Sequence, residues 1–549
     1  MKEDVSKPAT FAALAPLRHP TFRAIWLGAM ASNFGMLIQT VGAAWLMTQL
    51  AASADMVALV QASNALPIAF LALISGAIAD SYDRRKVMLF AQCFMLVVAT
   101  VLAIAAWYEA LTPWTLLGLT FLIGSGMALN NPSWQASVGD MVGRDDLPQA
   151  VTLNSMGFNL SRSVGPAIGG AIVAAAGAAA AFAINAASYL VLIFVLVRWK
   201  PSLPASTLPR ESLGSAVMTG LRYLVMSPKI EIVMLRSAMF GISASAVMAL
   251  MPLIARDILA GGPQLFGLLL GAFGLGAVAV ALSNSALRAR FAGETLIRTG
   301  FLGFAACAFI ASFSRSAPLT MVAMTLGGAC WVLTLSLFNT TVQLSTPRWV
   351  VGRLLSLYQM ATFTGMALGS WIWGLVTESY GASNALLAAS VLMVAGAAIG
   401  LVLPLPAPPR LKLDPLNRWK EPHLALDIKP QSGPIVIMVE YRIGNDDMPE
   451  FLKSMAERRR LRFRNGARHW TLMRDLEDPE LWQETYHLPT WTEYQRYHQR
   501  TTEADAVIAE AIRAMHKGPG KPVIHRMIER STDWSANQHV TPKDMLDIH

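Results

Sequence analysis

Residues 55–108 read DMVALVQASNALPIAFLALISGAIAD, then SYDRRK, then VMLFAQCFMLVVATVLAIAAWY. Two long apolar runs flank six residues that hold three cations. A helix needs about 20 mostly apolar residues to cross the hydrocarbon core of a bilayer. The stretch therefore predicts two membrane-crossing helices joined by a short basic turn.

Working outward, similar runs lie near 22–48, 55–79, 86–108, 112–137, 149–175 and 178–198. After a polar, proline-containing segment (199–230), six more follow near 234–256, 264–286, 296–313, 318–344, 352–376 and 382–404. The expected fold class is an all-α membrane protein with twelve transmembrane helices in two six-helix bundles, followed by a small soluble α+β ferredoxin-like domain. The expected domains are an N-terminal bundle (1–200), a cytoplasmic central loop (201–230), a C-terminal bundle (231–404), a linker (405–433), the α+β domain (434–530) and a tail (531–549).

The chain of 549 residues is 54% hydrophobic and 14% charged. Residues 1–409 hold 22 Lys+Arg and 14 Asp+Glu, whereas residues 410–549 hold 22 and 21. An apolar block is thus followed by a tail of ordinary soluble composition, which excludes a single-domain soluble enzyme. Of the net charge of +9, only +1 belongs to the tail, so no soluble module has the basic surplus that nucleic acid binding needs. The lipid bilayer is the expected partner. Cys93, Cys307 and Cys330 fall in apolar runs without metal-like spacing and read as small buried hydrophobes. Eight of nine histidines lie beyond position 409, so the apolar block lacks a histidine metal site. No metal and no cofactor are expected, and no phosphate-cradling Gly-x-x-x-x-Gly-Lys-Ser/Thr loop is present to use ATP. The polar start, Met1 to Pro20, leads into a run too long for a signal-peptide core, so no cleaved signal is expected.

Basic residues of short loops mark the cytoplasmic side. Eighteen fall in alternate loops, among them Arg84, Arg85, Lys86, Arg144, Arg198, Arg288, Arg348 and Arg353; the opposite loops offer Arg256 and Arg315. This predicts a multi-pass protein of the inner or plasma membrane with both termini cytoplasmic. The two halves echo each other: Asn131 and Gln135 precede Arg144, and Asn339 and Gln343 precede Arg353. Parallel six-helix repeats with a site between them are a transporter architecture.

In the basic turn, Gly76, Asp80, Asp83, Arg84 and Arg85 place carboxylates beside cations at helix ends. Such a group can latch helices on the cytoplasmic side; the simpler reading is a turn that only sets topology. Asn154, Phe158 and Arg162 recur every four residues and share a helix face. An arginine about 20 Å along a spanning helix needs protein or water around it; the rival reading is a side chain that snorkels to the cytoplasmic surface. Gly165-Pro166 predicts a helix bend and, with Gly169-Gly170, a close helix contact. Asn33, Gln39, Gln61, Asn64 and Asn131 are further candidates for cavity lining, or for holding helices together. No Asp or Glu stands in the middle of any predicted span.

These residues carry a family resemblance. Gly76 to Lys86 resembles the signature loop of the major facilitator superfamily, G-x-x-x-D-R-x-G-R-R/K, with Ser81 and Asp83 at the usual Arg and Gly positions. The D-x-x-D-R-R form resembles the enterobactin-exporter-like branch. Asn131-Pro132-Ser-Trp-Gln135, Arg144-Asp-Asp-Leu-Pro, Leu153-Asn154-Ser155, Arg162 through Gly170, and Gly352-Arg353-Leu-Leu-Ser356-Leu-Tyr358 extend that resemblance over much of 20–404. It implies a proton-driven exporter of a small organic molecule (siderophore, drug or metabolite). Ser161 stands where the exporter helix motif usually has glycine, and the arginine often placed on the fourth helix of drug–proton antiporters is absent. An importer of the same fold is the alternative reading.

Beyond the prolines of 404–434, Ile435, Ile437, Val439 and Tyr441 alternate as a half-buried strand. A helix from Asp447 to Gly466, strands at 468–474 and 481–488, one long helix from Thr490 to His516 and a strand at 523–528 complete a βαββαβ order. The run Arg458, Arg459, Arg460, Arg462 and Arg464 reads as a solvated face, or as a contact with anionic lipid. Gly466-Ala-Arg-His-Trp470 and Trp491 through His498 resemble the antibiotic-biosynthesis-monooxygenase-like α+β domain, which implies a homodimer through this domain. Trp470, Tyr486 and His487 are candidates for an oxidising pocket, or for packing. A transporter fused to a membrane-tethered monooxygenase acting on its substrate is thus a further alternative.

Overall fold

A computed structural model describes residues 15–51, 53–142, 146–200, 213–347, 349–405, 416, 422, 424–426 and 428–530. The first four helices are α1 (Pro20–Leu50), α2 (Ala54–Ser81), α3 (Arg84–Trp107) and α4 (Pro113–Met141). A stretch from Leu147 to Arg198 follows, with one internal break in helical dihedrals at Gly177, φ +77°. Only glycine adopts that backbone without strain. It divides the stretch into α5 (147–176) and α6 (178–198). A short amphipathic helix, α7 (Leu213–Val225), precedes the second set: α8 (Pro228–Leu253), α9 (Pro263–Arg290), α10 (Gly293–Phe313), α11 (Ala317–Leu344), α12 (Val351–Tyr380) and α13 (Ala382–Val402).

Among the described residues, nine stretches are both long and apolar enough to cross a bilayer, and one of these holds α5 and α6 together. The more polar α4 and α12 complete twelve spanning helices in two bundles, α1–α6 and α8–α13. Prolines at the starts of α1, α4, α5 and α9 suit positions where a backbone N–H has no intrahelical partner. The N-terminal bundle packs Phe22, Ile25, Met88, Leu153 and Leu192 into one cluster. In the C-terminal bundle Phe240 lies edge-on to Phe301 and Phe304, with ring centroids 5.1 and 5.7 Å away, and Trp331 closes the cluster. Cys307 and Cys330 are buried, but Cys93 is exposed on the outer face of α3, where it corrects the expected burial.

Two compact units divide the chain. One holds the spanning helices; the other joins residues 408–549 with two short segments, 218–228 and 343–354. In the second unit, β1 (Ile435–Arg442), β2 (Arg468–Arg474), β3 (Leu481–Leu488) and β4 (Val523–Ile528) form an antiparallel sheet of order β2-β3-β1-β4. α14 (Met448–Asn465), α15 (Trp491–Arg500) and α16 (Glu503–Ala514) complete the ferredoxin-like order. Register pairs Ile437 with Tyr486 and Val439 with Glu484, so alternate residues of β1 and β3 point into the core.

Two expectations for this unit are corrected. The helix expected from Thr490 to His516 is two helices, because Thr502 turns extended and closes a reciprocal capping box with Asp505. The arginine run is no solvated face throughout. Arg462 donates to both carboxylate oxygens of Glu484 (2.8 and 3.0 Å), and Arg458 adds a bond at 3.1 Å. Arg464 pairs with Asp505 at 2.6 Å, which leaves Arg459 and Arg460 outward. Burial alone would raise the Glu484 pKa, but Arg462 and Arg458 overcome it and hold the carboxyl far below the ordinary range.

Candidate functional site

The basic turn opens α3. Asp83 is its N-cap: Oδ1 accepts the backbone N–H groups of Arg85 (3.0 Å) and Lys86 (3.4 Å), a placement that also suits the positive helix end. Arg84 donates to the Ala136 carbonyl near the end of α4 at 2.9 Å. Arg85 donates to the carbonyls of Leu196 (2.9 Å) and Val197 (2.7 Å) in the last turn of α6. Arg85 thus satisfies carbonyls of the last turn of α6, where the helix dipole favours positive charge, and Arg84 ties the start of α3 to α4 within the same bundle. Gly76 faces the other bundle: a methyl group there would lie 3.2 Å from the Ser356 hydroxyl on α12. Arg353 stands in the first turn of α12. The side chain of Asp80 and the whole of Arg144 lie outside the described residues.

The candidate cavity residues separate into two groups. Gln39 is buried and accepts from the Asn185 amide, which also donates to Tyr189, so it joins α1 to α6 inside one bundle. Asn64 donates back to the Val60 carbonyl on its own helix at 3.1 Å. Asn33, Gln61 and Asn131 are half-buried. The α5 face is different. Asn154 accepts from the Trp134 indole N–H at 3.1 Å, and Phe158 is 43% exposed. One turn on, the Arg162 guanidinium reaches the second bundle, 5.5 Å from the Trp331 ring centre and 5.9 Å from that of Phe273. It has those aromatic faces and no hydrogen bond or ion pair among the described residues.

Beyond Arg162 the two bundles meet backbone to backbone. Helical dihedrals persist through Gly165-Pro166, with Gly165 against Leu37 and Gly169 against Ile38 of α1. A methyl group on Gly170 would come within 2.8 Å of the Gly267 Cα and of the Pro263 carbonyl oxygen. One on Gly267 would lie 2.7 Å from the Pro166 carbonyl oxygen. The α5–α9 crossing therefore excludes any side chain at either glycine.

Three residues at this end escaped the reading of the sequence. After α8 the chain continues as a π-helical turn, Ile254–Ile258. That turn carries Arg256 to the Thr48 carbonyl near the end of α1, while Asp257 binds the same guanidinium at 2.6 Å. Single π turns recur where a helix must re-aim a side chain. Asp55, in the first turn of α2, packs against Gly374 of α12 and buries Oδ1 without a hydrogen-bond partner among the described residues. At the basic-loop end, Arg236 is 1% exposed and pairs with Glu294 at 2.6 Å, joining α8 to α10. An ion pair between two spans leaves no trace in hydropathy, since each residue lies at an expected span edge.

In the α+β unit, Trp470 donates its indole N–H to Glu484 at 3.0 Å, and the Tyr486 hydroxyl accepts from Arg462 at 2.9 Å. His487 points to the opposite sheet face, where its ring meets His469 at 5.4 Å. Those three residues do not share one pocket. Among the described residues no group of His, Cys, Asp and Glu is arranged to hold a metal.

A family model described as transmembrane secretion effector matches residues 11–533, a span that runs through the α+β domain. The enterobactin exporter EntS of Escherichia coli O1:K1 / APEC is 27% identical over 362 residues, covering 65% of this chain and 85% of that protein. A bacterial homolog of the human lysosomal transporter Spinster, inward-facing and occupied, has TM-score 0.57 at 13% identity, covering 71% of this chain and 97% of that one. The nucleoside transporter NupG has TM-score 0.54 at 12% identity, covering 70% and 98%. The chain belongs to the transmembrane secretion effector family of the major facilitator superfamily: a multi-pass membrane transporter of two six-helix bundles, followed by an α+β domain.

Proposed function

We propose that the protein exports a small organic molecule from the cytoplasm by alternating access, coupled to protons, with both termini and the α+β domain inside the cell. The observation that carries this reading is Arg162: a cation in a spanning helix, without a hydrogen bond or ion pair among the described residues and set against the aromatic wall of the opposite bundle. A charge at that depth costs about 2.5–3.5 kcal/mol to insert, which a substrate's anionic or π-rich group offsets during transport. The relative named as an enterobactin exporter supports outward transport of an organic solute. The basic-loop bias supports the orientation.

Asp55 is the proton carrier in this scheme. Its Oδ1 is buried without a hydrogen-bond partner among the described residues, and it lies where α2 meets α12 of the other bundle. The basic turn, with Asp80, Asp83, Arg84, Arg85, Arg144 and Arg353, governs the cytoplasmic side. Substrate-panel uptake into inverted vesicles, with and without an imposed proton gradient, tests the whole reading. Gradient-stimulated uptake of an organic solute, weakened in Arg162→Ala, is expected. Uptake that ignores the gradient removes the proton, and uptake only into right-side-out vesicles makes the protein an importer. In Asp55→Asn the gradient dependence disappears while substrate still binds.

A further inference from the structure

We infer that the α+β domain is clamped to the segments that lead into α8 and α12 by a ladder of two touching rings with a cation at each end, and that this clamp restrains the transport cycle. The ladder uses residues remote in sequence. Tyr223 of α7 and Trp349 of the α11–α12 loop meet edge to face, with ring centres 5.8 Å apart at 81°. On one side Arg464 of α14 lies 5.2 Å from the Tyr223 ring, and on the other Arg500 of α15 lies 5.1 Å from the Trp349 ring. Each cation is oriented from behind by a carboxylate, Arg464 by Asp505 at 2.6 Å and Arg500 by Glu493 at 3.3 Å. The two segments thus supply both rings, and the α+β domain supplies both aimed cations. Cation–π and edge-to-face contacts depend on geometry, so this arrangement specifies one docked pose.

Those segments, 218–228 and 343–354, fold with the α+β domain as one unit. Trp349 stands two residues before α12, a single continuous helix from Val351 to Tyr380. Its second turn carries Ser356, which faces Gly76 of α2. A load on Trp349 is therefore applied to the end of a helix that meets the other bundle at both of its ends, since Gly374 meets Asp55. Burial, then the like charges of Arg468 and Arg500, lower the Arg222 pKa against the opposing pull of Glu493, so the seam holds charges of both signs. The proposal concerns regulation and goes beyond the transport reading.

The test needs no substrate. Full-length protein carrying Cys93→Ser and Ser356→Cys is reconstituted in vesicles with the basic loops outward. Two rates are followed: N-ethylmaleimide labelling at position 356, and trypsin cleavage in the 405–433 linker. Tyr223→Ala, Trp349→Ala and Arg464→Ala should each speed linker cleavage and raise labelling at least threefold, while Trp349→Phe keeps the parent values. Faster cleavage with unchanged labelling overturns the brake. Unchanged cleavage in all three alanine variants overturns the clamp.

Discussion

Arg162 was legible because Asn154, Phe158 and Arg162 repeat at a helical interval and an arginine cannot rest in lipid unattended. Gln39 was not legible in the same way. A glutamine in a span looks alike whether it faces water or a neighbour, and its partner Asn185 lies 146 residues away. Arg162→Ala should raise the half-saturating substrate concentration between tenfold and a hundredfold, from the roughly 1.5–3 kcal/mol that hydrogen bonds to charged groups contribute; concentration-dependent uptake measures it. Arg162→Lys, which keeps charge but loses the planar fork, should recover part of that loss. In the α+β domain, burial and then Arg462 and Arg526 push the His498 pKa down to about 3. The unfolded chain takes that proton below about pH 6.5 and the fold refuses it, so stability falls as pH drops, by about 1.4 kcal/mol per unit. His487 and His516 are shifted in the same direction and add to the slope. Pulse proteolysis in urea at pH 7 and pH 5 should show the domain weakening, and His498→Gln should remove the largest share of the difference.

At the scale of the element, hydropathy located the spans but not how they end or touch. Gly177 was the one residue available to separate α5 from α6, and it does so with a positive φ. The break between α15 and α16 was missed although Thr502-x-x-Asp505 is a capping signal, because the apolar periodicity runs on across it. The π turn was invisible, since five residues of altered hydrogen bonding leave composition unchanged. It aims Arg256 at α1, so Arg256→Ala should loosen that end of the molecule. A membrane-impermeant maleimide should then react severalfold faster with Ser53→Cys, and an unchanged rate would remove Arg256 from the seam. Gly170→Val places a side chain where the Gly267 backbone already lies. Overpacking of this kind costs about 1–3 kcal/mol, and here it should abolish uptake while the protein still inserts at normal abundance.

For the molecule as a whole, charge asymmetry told more than any motif, because eighteen of the loop cations alternate with the spans. The orientation it implies is open to a direct check. Arg84→Cys should label only from the cytoplasmic side and Glu109→Cys only from outside; both on one side would overturn the threading. The association of the α+β domain with 218–228 and 343–354 was beyond reach of the sequence, since Tyr223, Trp349, Arg464 and Arg500 form no local pattern.

The α5–α9 crossing has one more consequence. Two side chains that interdigitate must climb over each other when helices tilt, whereas facing glycines present smooth main chain. Gly170 and Gly267 form a bearing, and a bearing keeps its axis in place while allowing rotation about it. In the alternating-access cycle proposed above, the bundles would turn about a fixed line, so small displacements beside that line would become wide ones at the far ends of the helices.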